Sequence, residues 1–152
     1  MSSIRPLTLF ETITQTAEAE SPVWGSAVVS SPPEPVFSLL VPEALALGLE
    51  TVYEAYLVHY GKPRLFTAPD ADEAVLLGDY LYAHGLVRIA EAGGVEAVAV
   101  MADLISRCAA LRADGRVGDG EAWVEAARAL GGSFTDDEAR RALELHSGKV
   151  VL

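Results

Sequence analysis

The chain has 152 residues, enough for one domain with a self-sufficient core, and its 11 basic against 22 acidic residues give a formal charge of −11. That balance argues against nucleic acid and against anionic membrane surfaces as partners. Although 51% of residues are hydrophobic and the mean hydropathy is +0.27, no segment has the roughly 18 consecutive apolar residues of a membrane span. No membrane insertion is therefore expected. The N-terminus lacks a signal peptide's charged-then-apolar layout, so the expected location is cytoplasmic. The single cysteine, Cys108, leaves no intramolecular disulfide and no paired-cysteine redox or zinc motif; within an apolar helix it reads as a buried, inert thiol.

Residues 1–35 read as an N-terminal arm. Thr8 to Glu20 predicts a short helix, with Thr8 and Glu11 as a capping box and Leu9, Phe10, Ile13 and Ala17 on one face, ended by Ser21-Pro22. The run Ser30-Ser31-Pro32-Pro33-Glu34-Pro35 predicts a semi-rigid connector, because proline cannot continue a helix. Residues 36–152 form the main domain. After the apolar run Val36–Val41, Pro42 suits the first turn of the next helix. In Leu49–Tyr60, the residues Leu49, Val52, Tyr53, Tyr56, Leu57 and Tyr60 recur at helical spacing, and Gly61-Lys62-Pro63 stops the pattern. Its three tyrosines need hydrogen-bond partners if buried. Glu50 and Glu54 stand one turn apart. They could be two ligands of a metal site, but no third hard ligand is placed with them, and the plainer expectation is two solvated acids on a helix flank.

Asp70 to Gly94 is the most strongly patterned stretch. Asp70 and Glu73 give an N-cap signature, and Gly93-Gly94 gives the stop. Val75, Leu76, Tyr80, Leu81, Leu86, Val87 and Ile89 cover more than one surface stripe. Such a helix lies inside a bundle or against another chain. Gly78 implies that something packs close there. A second apolar helix, Val95–Arg112, has a narrow polar stripe of Glu96, Asp103 and Arg107. The loop Gly115–Gly120 resembles no phosphate-binding motif and follows no strand. Glu121–Leu130 is a short helix around Trp123, and Thr135 to Glu138 caps a last helix running through His146 to Gly148. His59, His84 and His146 lie on separate segments and read as structural. The predicted class is all-α.

The octapeptide Leu76-Leu77-Gly78-Asp79-Tyr80-Leu81-Tyr82-Ala83 resembles the "LaGDyLla" helix of the all-trans polyprenyl diphosphate synthases. Upstream, that family carries "ElxHxAxLxHDDxxD". Glu50, Ala55, Leu57, Val58 and His59 match it in spacing, Tyr53 stands where the first histidine does, and Tyr60-Gly61 replace the leading aspartates. Gly61-Lys62-Pro63 resembles a remnant of the "RRGxPT" that comes next in the family. A second register sets Glu50-Thr51-Val52-Tyr53-Glu54 under DDxxD; the aspartate motif is absent in both. Downstream, Asp114-Gly115 resembles the family's "GE", and Thr135 to Glu138 with Gly148-Lys149 resembles "seeeyl…gKTa", Lys149 matching the lysine and Val150 replacing the threonine. The resemblance runs from about Val36 to Leu152.

The resemblance implies a shortened isoprenoid-synthase-like helical bundle with a partly extended N-terminal arm. Enzymes of the family clamp a leaving diphosphate with Mg2+ held by two aspartate-rich motifs, since that charge must be neutralised in the transition state. Here the first motif is missing, no second occurs in the sequence, and the "GGKRxRP" that holds the other diphosphate has no counterpart. The resemblance therefore implies the small, non-catalytic subunit of a heteromeric hexaprenyl or heptaprenyl diphosphate synthase in quinone side-chain biosynthesis. Such a subunit would be inactive alone and would help set product length. Its implied partner is a DDxxD-bearing catalytic polyprenyl diphosphate synthase subunit, with a homodimer also possible. No cofactor is expected in this chain, and Mg2+ only in the partner. Lys149 is the one candidate for substrate binding. Leu77, Tyr80, Leu81, Val98, Met101, Leu104 and Ile105 are the candidates for a partner interface or tunnel wall. The competing readings are a stand-alone helical binding protein for an apolar isoprenoid, a structural homo-oligomer, and a self-sufficient prenyltransferase, the last disfavoured by the missing carboxylates.

Overall fold

The structure, a computed structural model, describes residues 8–29, 34–67 and 70–150. Residues 30–33 of the proline-rich connector lie outside the described residues. Six helices lie among the described residues: α1 (Leu9–Glu20), α2 (Pro22–Ser26), α3 (Glu43–Tyr60), α4 (Ala71–Ala113), α5 (Asp119–Ala129) and α6 (Asp136–Ser147). A 3-10 turn, Ser38–Leu40, precedes α3. Among the described residues there is no strand, only isolated antiparallel bridges joining Val28 to Phe66 and Gly61 to Val150.

The local signals act where the sequence puts them. Thr8 Oγ1 accepts the Glu11 N–H at 3.1 Å and Asp70 Oδ1 accepts the Glu73 N–H at 2.9 Å. Thr135 and Glu138 close a reciprocal capping box at 3.1 and 3.0 Å, so orphan N–H groups at three helix starts are satisfied. Within α4, Gly94 adopts φ 73 and ψ −166, a conformation that L side chains rarely take. It divides α4 into arms 71–93 and 95–113, the two helices expected from the Gly93-Gly94 stop. Both arms run along α3. Leu45, near one end of α3, borders a groove with Gly93, Glu96 and Ala97. Near the other end, His59 meets Asp79 of the first arm while Tyr60 lies by Arg112 of the second. The first arm is therefore antiparallel to α3 and the second returns parallel to it.

The fold centres on α3, not on the glycine-bearing helix that the sequence pattern singles out. Every residue from Gly48 to Val58 is buried. The Gly85 position shows how near the helices come: a Cβ there would lie 2.5 Å from Val52 Cγ2 and 3.0 Å from its backbone nitrogen. Opposite it, a Cβ on Gly48 would lie 2.9 Å from the Ile89 side chain. Phe37, Trp123, Met101 and Cys108 close one side of α3, and Leu77, Leu81 and Phe66 close the other. The N-terminal helix joins the second group, with Ile13 and Ala17 packed against Ala55 and Val58.

Candidate functional site

The residues that chemistry could use sit on α3 and face inward. Glu50 and Glu54 are both 0% exposed, which overturns the solvated-flank expectation. The reason is Arg64, four residues past the end of α3, whose side chain is only 5% exposed. It gives Nη2 to Glu50 at 2.8 Å and Nε to Glu54 at 3.0 Å. Backbone donors complete both carboxylates: Val36 N–H to Glu50, and Arg64 and Leu65 N–H to Glu54. Burial pushes the Glu54 carboxyl above its usual range, with the Arg64 charge opposing. The Arg64 guanidinium also lies 4.8 Å from the centre of the Tyr53 ring. A metal ion at Glu50 and Glu54 would have to displace this arginine. Among the described residues no group of three or more His, Cys, Asp or Glu side chains is placed to hold a metal.

A second network ties α3 to α4, α5 and α6 through Asp119. Its Oδ2 accepts from Tyr56 Oη at 2.6 Å and from Arg112 Nη2 at 3.0 Å, and faces His146 Nε2 at 3.0 Å. His146 Nδ1 lies 2.6 Å from Tyr53 Oη. A neutral imidazole protonated on Nε2 satisfies both contacts, with Tyr53 donating. Burial works to raise the Asp119 carboxyl, but the hydrogen bonds from His146 and Tyr56 and the charge of Arg112 outweigh it and hold it well below the carboxylate range. Burial also drives the Tyr53 and Tyr56 hydroxyls far above the usual phenol value. Two of the three α3 tyrosines thus have the partners that burial requires. His146 is 3% exposed, and the Asp119–His146–Tyr53 chain ends in packed aromatic rings, with Trp123 edge-on to Tyr53 at 5.1 Å. The arrangement orders the C-terminal helix. It presents no nucleophile to solvent.

The other sequence-picked residues fall in three places. Cys108 is buried, and burial raises its thiol to about 12. Lys149 lies beside the end of α3, its carbonyl accepting the Lys62 N–H at 2.7 Å. Of the interface or tunnel-wall candidates, Leu77, Leu81, Met101 and Leu104 point into the chain's own core. Tyr80, Val98 and Ile105 are half-buried at its margin. Tyr80 Oη donates to the Thr16 carbonyl at 3.1 Å, and the Tyr80 ring lies against Trp24.

The side of α4 turned away from α3 carries other residues. Leu76, Ala83, Val87 and Ala90 follow one another at helical spacing along the first arm, and Val95 and Ala102 lie on the second, all exposed; Ala99 instead borders a groove with α5, and Ala109 and Ala113 one with His59 and Tyr60 of α3. Leu76, Val87 and Val95 are 58%, 55% and 85% exposed, values that mark an uncovered face rather than a core edge. The sequence pattern counts Leu76 and Val87 as apolar positions, but only the placement of α3 shows which ones stay outside.

No family model, no curated protein and no solved structure matches the chain. None of its helices, among the described residues, is long and apolar enough to cross a membrane.

Proposed function

We propose that this chain is a non-catalytic subunit that associates through the outer face of α4, the small subunit of a heteromeric trans-polyprenyl diphosphate synthase. The observation that carries the reading is the uncovered apolar face of α4, in a chain whose inward carboxylates are already paired. Diphosphate ionisation needs several carboxylates free to hold metal in one pocket. Glu50 and Glu54 are instead committed to Arg64, and Asp119 to Arg112, Tyr56 and His146. The partner's identity rests on the ordered motifs from Glu50-to-His59 through Leu76-to-Ala83 to Lys149. In this reading the partner supplies Mg2+ and both diphosphate sites, and this chain braces it and limits product length. The assay is co-purification with a DDxxD-bearing polyprenyl diphosphate synthase chain. A stable complex lost on Val87→Asp supports the reading, and separate elution of the two wild-type chains refutes it.

A further inference from the structure

The charges around the outer face of α4 specify what can cover it. This helix carries three arginines, and each is engaged within the chain. Arg88 turns inward, donating to Thr51 Oγ1 at 2.9 Å and Thr16 Oγ1 at 3.0 Å. Arg107 pairs with Glu125 at 2.9 Å. Arg112 is held by Tyr56 and Asp119. Asp72, Asp79, Glu91, Glu96 and Asp103 remain exposed, spread along both arms. Asp79 Oδ1 has a neighbour outside α4, His59 Nε2 at 3.5 Å. The face is thus an apolar strip bordered by carboxylates, on a chain of net charge −11.

We infer that the occupant of this face is a different protein, an apolar helical surface bordered by lysines or arginines, and that a second copy of this chain is selected against. The inference rests on the reading of α4 as an association face and adds the partner's chemistry. Two copies meeting there would bring carboxylates from both α4 helices together, and like charges across an interface oppose the pairing. A basic border turns the same positions into attraction and speeds encounter. The acidic border thereby keeps the free chain from consuming its own face before the partner arrives.

The test uses the full chain and a full-length probe copy carrying Glu91→Lys, Glu96→Lys and Asp103→Lys, with sedimentation at low and high salt as the readout. Wild type mixed with the probe should associate about tenfold or more tightly than wild type with itself at low salt, with the gap closing as salt screens the border. Should the lysine probe not fold, a copy carrying Glu91→Gln, Glu96→Gln and Asp103→Gln replaces it, and this copy should self-associate more tightly than wild type. Wild-type self-association as tight as either comparison overturns the inference, as does a mixture that does not associate. Val87→Asp separates the two levels. A mixed complex that survives it refutes the face itself, whereas a face-dependent complex without charge preference refutes only the partner's chemistry.

Discussion

Replacing Arg64 by methionine removes the guanidinium that lies between two carboxylates that are 0% exposed. Methionine keeps much of the volume and none of the charge, so Glu50 loses its 2.8 Å partner and Glu54 its 3.0 Å partner. Three backbone N–H donors remain, which satisfy lone pairs but do not neutralise charge. Breaking a buried pair from one side costs about 3–5 kcal/mol. For a domain of this size, that lowers the melting temperature by roughly 6 to 20 °C at neutral pH. The loss should shrink on acidification. Glu54 already has its carboxyl raised by burial, and without Arg64 that rise grows. A carboxyl raised above its unfolded value destabilises the fold at pH above that value, and the penalty fades as pH falls through the folded value towards the unfolded ~4.3. Thermal melts followed by circular dichroism at pH 7 and pH 5 read both effects. A neutral-pH melt within about 1 kcal/mol of wild type, the value of an exposed pair, would refute the buried-pair account.

Other consequences are separable. Gly85→Ala puts a methyl against the Val52 backbone and should cost about 1–3 kcal/mol by forcing α3 and α4 apart; an unchanged denaturation midpoint would contradict the close crossing. Cys108 should resist alkylation in the native protein and react at once in denaturant, because its thiol is buried and raised to about 12; rapid native labelling counts against that placement. Asp119 is held below its unfolded value of ~3.9, so its contribution is present above that pH and is lost as pH falls through the folded value. Asp119→Asn should therefore be less stable than wild type at pH 7, with the difference narrowing below about pH 4; a constant gap across that range would exclude the ion-paired state.

Much of the fold is legible in the sequence because it is locally coded. Thr8, Asp70 and Thr135 cap their helices from three residues away, and Gly94 breaks α4 because its backbone needs no Cβ. The short helix α2 escapes the sequence pattern, in which Ser21-Pro22 reads only as a stop; Pro22 also starts a helix by occupying its first position. The larger difference concerns α3. Its Glu50 and Glu54 look like a wet flank when only neighbours within the helix are counted. Their burial depends on Arg64, beyond the helix end, just as the buried Thr51 beside them is met by Arg88, far along α4. The same holds for Tyr53 and Tyr56, whose partners His146 and Asp119 come from α6 and α5. Conversely, the apolar breadth of the first α4 arm exceeds what one neighbour can cover. Local pattern does not say that Leu77 and Leu81 face inward while Leu76 and Val87 face out.

The most direct test of the central claim is prenyl transfer measured with isopentenyl diphosphate, an allylic diphosphate and Mg2+. The assay compares this chain alone, a DDxxD-bearing polyprenyl diphosphate synthase chain alone, and the two together. The account predicts no turnover by this chain, and a mixture whose activity or product length differs from that of the catalytic chain, with Val87→Asp abolishing the difference. Chelator-sensitive turnover by the pure chain, or a mixture indistinguishable from the catalytic chain alone, would contradict it.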